Sequence, residues 1–440
     1  MIRSWPLRWL PCLALLIVAA CDAAIVIAAD RPNVVLIISD DQAWTDYSFM
    51  GHPEIHTPHI DRLARDSATF THGYVPSSLC CPSLASIITG QYPHQHRITC
   101  NDPAIPAGMS PQQFHQSAAF TQGREVMNRF LDETPTLPRI LRTQDYLSLQ
   151  TGKWWQGDYR RGGFTSGMTV GQRHGDEGLQ IGRKTMQPIF DFVRAARTAD
   201  KPFLVWYAPM MPHTPHNPPE RLLSKYQHRA SSLAVAKYWG MIDWFDETVG
   251  QLLDHLDEQG LADNTIVVYL ADNGWIQSPE ADRVAPKSKL SPYDGGLRTP
   301  IMVRWPGKIA PRTSAVPVLS LDVVPTILTA LGQAPDKNMP GLNLLDERAV
   351  KNRPAIFGEC FTHNAIDLEK PAANLRWRWA VAGPWKLIVP DRINEPNESV
   401  ELYDLAHDPH ETKNMAGQNA DKVIELRALL DAWWNPATGT

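Results

Sequence analysis

The 440-residue chain has no excess of basic charge: 42 Lys and Arg stand against 47 Asp and Glu, a net charge of -5. A global basic footprint for nucleic acid is therefore excluded, and an anionic substrate must be drawn in by a local site. Cysteine is scarce: the six are Cys12, Cys21, Cys80, Cys81, Cys100 and Cys360, far too few for a disulfide scaffold. Internal repeats and low-complexity tracts are missing, which removes solenoid and disordered-tail readings. Beyond residue 30 no run is long and apolar enough to span a bilayer. What remains is ordinary globular material, 43% hydrophobic, 20% charged and 9% aromatic. The length suits one large α/β domain with a satellite, or two to three average domains.

The chain opens on a targeting segment. Arg3 and Arg8 precede the apolar run Leu10 to Ala20, the charged and hydrophobic regions of a secretory signal. Two processing points compete. Val18-Ala19-Ala20-Cys21 resembles a bacterial lipobox, which would make Cys21 a lipid anchor; Ile27-Ala28-Ala29 suits ordinary signal peptidase. Residues 1–29 are expected to be the signal, and the mature protein to be exported to the periplasm or the medium. Four cysteines then remain in a compartment where disulfides persist.

The mature chain alternates strand and helix patterns. Val34 to Ile38 is a continuous β-branched run, as a central parallel strand requires. Phe203 to Tyr207, Ile266 to Leu270 and Ile301 to Arg304 read similarly. From about Leu233 to Leu256, Tyr238, Met241, Ile242, Phe245, Val249, Leu252, Leu253 and Leu256 share one helical face. Thr136 to Leu141 and Met186 to Ala196 are shorter helix candidates. This alternation predicts an α/β fold, a mostly parallel central sheet with helices on both faces, over residues 30–347. Over 348–440 the texture becomes that of a small antiparallel α+β subdomain. Its short strands are Ala355 to Cys360, Trp377 to Ala382, Trp385 to Val389 and Val400 to Tyr403, and Val423 to Trp434 is a final helix.

Ligands in open α/β sheets bind beyond the carboxyl ends of the strands. Asp40-Asp41 follows the first strand directly, and Asp272-Asn273-Gly274 follows Ile266 to Leu270. Alone, the first pair would read as a helix cap and the second as an Asn-Gly turn. Together they offer four oxygen ligands from distant points of the chain, which suits a hard divalent cation. In Cys80-Cys81-Pro82-Ser83-Leu84-Ala85, Pro82 fits a first helical turn and Gly90 a C-terminal cap. Cys80 then lies at a helix N-terminus, a good place for a nucleophile facing an anionic group.

Taken together these segments resemble the sulfatase family of the alkaline phosphatase-like superfamily. Its Cys-x-Pro-Ser-Arg pattern with a later Thr-Gly is matched by Cys80, Pro82, Ser83 and Thr89-Gly90. Pro32-Asn33 to Asp40-Asp41 looks like the opening strand and metal pair, Gly152-Lys153-Trp154 like Gly-Lys-Trp-His, and Pro212-His213-Thr214-Pro215 like Pro-His-x-Pro. Asp272-Asn273-Gly274 resembles the second metal pair. Lys289 with Tyr293-Asp294-Gly295-Gly296 resembles the late lysine segment, and Glu401 to Leu405 with Asp408-Pro409 the C-terminal signature. The matches run in the family's order over essentially the whole mature chain.

The resemblance implies a sulfuric ester hydrolase in which Cys80 is oxidised to formylglycine by a formylglycine-generating enzyme. One hydroxyl of the hydrated aldehyde would attack sulfur in line, and the second would expel sulfate. Asp40, Asp41, Asp272 and Asn273, with the modified Cys80, would hold one Ca²⁺. Lys153 and Lys289 would neutralise sulfate oxygens, and His213 would contact the sulfate or protonate the leaving oxygen. The implied substrate is a sulfated carbohydrate or another sulfate ester.

Two positions depart from the pattern. Leu84 stands where the family has Arg, and Trp155 where Gly-Lys-Trp-His places His. Trp donates one hydrogen bond and accepts no proton. By proximity in sequence, His94, His96 and His216 are candidates to replace the lost base, each with a structural or substrate-contact alternative. Trp154, Trp155, Arg160 and Arg161 read equally as sugar-stacking and sulfate-pairing groups or as core and solvated residues. A phosphate mono- or diester hydrolase on the same fold, and a non-catalytic binder of sulfated glycans, stay open beside the sulfatase reading.

Overall fold

The computed structural model describes residues 1–2 and 31–438. The signal and lipobox expectations fall on residues outside the described ones. Among the described residues no helix is long and apolar enough to cross a membrane.

Among the described residues the large sheet has nine strands: β1 (Asn33–Ser39), β2 (Ala68–Tyr74), β3 (Leu147–Gly152), β4 (Ser166–Gly167), β5 (Phe203–Ala208), β6 (Thr265–Ala271), β7 (Arg298–Arg304), β8 (Arg312–Ser314) and β9 (Val318–Leu319). Their order is β4-β3-β5-β1-β6-β7-β2-β8, with β9 beside β2. Every residue of β1 is buried, because both faces of this strand are covered. Val34, Leu36 and Ile38 enter one core with Leu84, Ile87 and Ile88 of the helix Cys80–Thr89. Val35 and Ile37 enter another with Phe245, Val249 and Leu252 of the helix Leu233–Glu258. Helices thus cover both faces, as the alternating pattern predicts.

β3, β5, β1 and β6 are neighbours and all parallel. Their carboxyl ends therefore line one edge, which collects the segments after Gly152, Ala208, Ser39 and Ala271. β7 is a correction to the parallel reading of Ile301 to Arg304: it runs antiparallel to both β6 and β2. The chain leaves β6 at its carboxyl end, makes a long loop and re-enters from the same end, with no crossover helix to reverse it. Burial makes it an apolar run in either direction, so composition cannot report the sense.

The predicted C-terminal strands form a separate antiparallel sheet of β10 (Ile356–Phe361), β11 (Leu375–Ala382), β12 (Trp385–Pro390) and β13 (Glu401–Asp404), in chain order. Leu426 and Leu430 of the helix Ala420–Trp433 pack on Ala380, Leu387, Val389 and Leu402. On the other face Trp379, Val381 and Ile388 meet Tyr74, Val75 and Leu297.

A buried ion cluster joins the two sheets. Lys386, fully buried on β12, places Nζ 2.8 Å from both Asp294 Oδ1 and Glu411 Oε1. Removing the cation strands two carboxylates in the interior, so Lys386→Met is expected to cost about 3–5 kcal/mol. Denaturant unfolding monitored by fluorescence checks this; a loss below ~1 kcal/mol would show the cluster to be relaxed by water.

Candidate active site

Cys80 opens its helix as expected, and Gly90 caps the other end in the left-handed conformation. The Cys80 thiol sits between two ammonium groups: Sγ is 3.2 Å from Lys153 Nζ and 2.9 Å from Lys289 Nζ. Lys153 follows β3 directly. Gly152 makes that placement possible: its φ is +76°, and a Cβ there would stand 1.9 Å from the Ala208 carbonyl oxygen. Lys153 reaches Asp40 Oδ1 at 2.6 Å, and Lys289 reaches Asp41 Oδ1 at 2.6 Å.

The two acidic strand ends are stitched together. The Asp41 amide donates to Asp272 Oδ1 at 3.1 Å, and Asn273 Nδ2 donates to Asp41 Oδ1 at 2.6 Å. Asp41 is itself left-handed, at φ 67°. The Tyr238 hydroxyl, from the long helix, lies 2.7 Å from Asp46 Oδ2 and 3.1 Å from the Asp41 carbonyl, bracing this turn.

Carboxylate oxygens of Asp40, Asp41 and Asp272 lie within 4.8 Å of one another, and so do ligand atoms of Asp40, Cys80 and His213. Asp40 Oδ2, Asp41 Oδ2, Asp272 Oδ2 and Asn273 Oδ1 are all buried and have no hydrogen-bond partner. A buried oxygen left unpaired is costly, and four at one point form an all-oxygen donor set for a hard cation. The residues present therefore fit a Ca²⁺-type ion.

The electrostatics are those of a concentrated charge array. Burial works against ionisation of Asp41, but Lys289, His213 and Lys153 outweigh it and hold its carboxyl below the usual range. Burial and the neighbouring Asp40 push Asp272 well up. Burial opposes the charge on Lys153 and Lys289, yet Asp40 beside the first and Asp41 beside the second keep both firmly protonated. Burial pushes the Cys80 thiol up to about 12, against the pull of the two lysines. A thiol so placed is protonated at neutral pH and is a weak nucleophile.

His213 joins the same group, with Nε2 3.5 Å from Asp41 Oδ2. Its Nδ1 donates to the Thr214 carbonyl at 2.7 Å, so Nε2 is the atom free for substrate. Burial and Lys153 lower its pKa to about 4. The negative charge of a bound anion would draw a proton back onto Nε2. The loop is held by Arg183, whose guanidinium donates to the carbonyls of Met210 (2.6 Å) and His213 (2.8 Å).

All eight predicted site residues thus meet at one edge of the sheet. None of the three candidates to replace the missing histidine, His94, His96 and His216, joins them. His96 is fully buried and paired with Ser86 Oγ at 3.0 Å, a structural role. His94 pairs with the buried Glu359 and stacks on Trp434. His216 packs against Tyr238 and Trp275, with Nδ1 3.8 Å from Asp282. Trp154 and Trp155 are 1% and 2% exposed, so they are core residues and not sugar-stacking ones. Arg160 and Arg161 pair at the surface with Asp158, and with Glu125 and Asp132. Leu84 packs into the core beneath the nucleophile helix. Cations near that helix come instead from Arg124 and Arg173, over the Trp155 ring at 5.5 and 4.9 Å. Cys80, Cys81, Cys100 and Cys360 are free thiols. Arg183 and His174 lie in irregular loops with no motif around them, and nothing in the sequence singled them out.

Comparison with known proteins identifies the family. Residues 32–333 match the family described as Sulfatase, and residues 288–432 match N-sulphoglucosamine sulphohydrolase, C-terminal. The chain is 26% identical over 415 residues to N-acetylgalactosamine-6-sulfatase of Canis lupus familiaris, covering 83% of this chain and 75% of that one. It is 24% identical over 446 residues to an ulvan-active sulfatase of Formosa agariphila, covering 91% and 80%. The crystal structure of Ps i-CgsB in complex with k-i-k-neocarrahexaose superposes with a TM-score of 0.72, at 21% identity and 92% coverage of both chains. With the family match spanning most of the chain and an alkaline phosphatase-like sheet carrying its site, this protein belongs to the sulfatase family, the sulfuric ester hydrolases.

Proposed function

We propose that this protein hydrolyses sulfate esters of carbohydrates, through a formylglycine made from Cys80 and a Ca²⁺ held by Asp40, Asp41, Asp272, Asn273 and the modified residue. The observation that carries it is the set of four unpartnered buried oxygens beside a residue-80 side chain clamped by two lysines. A bound Ca²⁺ would polarise sulfate oxygens and lower the pKa of an adjacent hydroxyl. Lys153 and Lys289 carry fixed positive charge to the sulfate's non-bridging oxygens, in a site too buried for water to screen them. His213 presents Nε2 to the leaving side. The carbohydrate assignment draws on the names of the relatives. Export, with a lipid anchor at Cys21 if the lipobox is used, follows from the leader-like first 29 residues.

The deciding experiment is the peptide mass of the Cys80 segment from protein made in its natural host, with rates on matched aryl sulfate and aryl phosphate esters. The expected result is an aldehyde mass at residue 80 and a preference for the sulfate. A thiol with no turnover would favour the second reading, a sulfated-glycan binder, which Leu84 and Trp155 motivate. A preference for phosphate would move the substrate class.

A further inference from the structure

Trp155 stands where the Gly-Lys-Trp-His pattern would place His, and its buried ring is braced by Arg124 and Arg173. Directly against it stands a histidine from another segment. The His174 ring lies 4.4 Å from Trp155, edge to face, and 6.2 Å from the His213 ring. We propose that His174 is a further catalytic residue, whose ring Nδ1–H donates to the sulfate group held by Lys153 and Lys289. The proposal rests on sulfate-ester chemistry at this site.

Three independent features support it. First, the ring is oriented by a relay. Arg173 Nη1 lies 2.7 Å from His174 Nε2, while Arg173 Nε and Nη2 grip the two oxygens of the buried Asp102 at 3.0 and 2.8 Å. Guanidinium has no lone pair and keeps its protons, so Nε2 must accept and the ring proton must sit on Nδ1. Among the described residues Nδ1 makes no hydrogen bond. His174 is thus built as a donor with a fixed tautomer.

Second, the backbone is held in an unfavourable conformation. His174, Gly175 and Asp176 have φ of 72°, 128° and 51° in succession. Runs of this kind persist only where the surroundings enforce them, and they cluster at functional sites. Here the Asp176 carboxylate accepts from the amides of Val170, Gly171 and Gln172. Gly175 sits so close to the Gly152 carbonyl that a Cβ would stand 2.5 Å from it. The Trp154 amide donates to the His174 carbonyl at 3.0 Å. The loop is therefore fastened on both sides of Lys153, and the lysine and the imidazole are positioned as one unit.

Third, burial, then Lys153, Arg173, His213 and Lys289, hold the imidazole well below the usual histidine range. Asp102 is the acidic group on the far side of Arg173. A neutral imidazole beside Lys153, Arg173 and Lys289 adds a hydrogen bond to an anion without adding a titrating charge.

The test compares two variants of similar size, His174→Asn and His174→Leu. Asn tolerates the left-handed backbone, and its amide nitrogen stands near the place of Nδ1. Leu fills the space and donates nothing. For protein with an aldehyde at residue 80, kcat/KM on an aryl sulfate, its pH profile and the inhibition constant of inorganic sulfate are measured, with melting temperature as the control for folding. Leu is expected to lose about 10²-fold in kcat/KM and to weaken sulfate inhibition about tenfold, while Asn stays within about tenfold of the parent with the same acid limb. Equal losses in both variants would reduce His174 to packing, and an unimpaired Leu variant would remove it from the site; either overturns the proposal. So would loss of the acid limb in Asn, which would make His174 a titrating base. Should the parent itself not turn over sulfate esters, the proposed function fails separately, and calorimetric binding of inorganic sulfate to the three proteins still decides whether His174 donates to it.

Discussion

Cys80→Ala is expected to reduce turnover of an aryl sulfate by about 10⁴–10⁶-fold. Among the described residues its Sγ accepts from both lysines, each of which also pairs with an aspartate, so a nucleophile from elsewhere would lie outside that clamp. The fold should survive. The side chain is small and buried at the end of a helix that Leu84, Ala85, Ile87 and Ile88 also anchor in the core. The informative measurement is therefore kcat/KM beside a melting curve. Activity within tenfold of the parent, in a protein that melts normally, would place the nucleophile at another residue.

Asp272→Asn is expected to cost about 10³-fold or more in turnover and to abolish the stabilisation that Ca²⁺ confers. The replacement keeps an oxygen for the Asp41 amide but removes an ionisable carboxyl from three whose oxygens lie within 4.8 Å of one another. A ligand at a hundred times its Kd stabilises a protein by about 2.7 kcal/mol, so Ca²⁺ should raise the melting temperature of the parent by several degrees and that of the variant by little. The metal-free proteins should differ in the opposite sense. The Asp272 carboxyl is pushed up in the folded protein by burial and Asp40. Its contribution is therefore fully present below the ordinary carboxylate pKa and is lost as pH rises through the elevated one. In the absence of Ca²⁺ the parent should lose stability over that rise, and Asp272→Asn should lack that part of the dependence. An equal Ca²⁺-induced shift in both proteins would refute the metal assignment without any appeal to activity.

Much of the site was legible because its residues sit next to features that pattern alone reveals. Asp40-Asp41 and Asp272-Asn273 each end a buried β-branched run, and a strand's carboxyl end is where α/β sheets place their ligands. Cys80, Lys153, His213 and Lys289 came from the order of short motifs. The long helix Leu233–Glu258 was legible from its apolar stripe, although its Tyr238 hydroxyl, which braces the Asp41 turn, was not. The sense of β7 could not be read, since burial on both faces erases the period that direction would need. Nor could the burial of Trp154 and Trp155, because an aromatic pair has the same composition in a core and on a sugar platform.

The sequence by itself determined the sheet-and-helix alternation, the C-terminal antiparallel unit, the four oxygen donors at two strand ends, the two lysines and the family resemblance, together with its two departures at Leu84 and Trp155. These are local or ordered properties: periodicity, strand ends and motif order survive without coordinates. Only the tertiary structure decided what surrounds the departures. It packed Leu84 into the core, set Arg124 and Arg173 over Trp155, and turned His174 toward His213 from a loop with no motif. The reason is physical. Those neighbours are contributed by segments separated along the chain, and their meeting is fixed by the packing of loops on the ends of β3 and β5, which no spacing in a single sequence encodes.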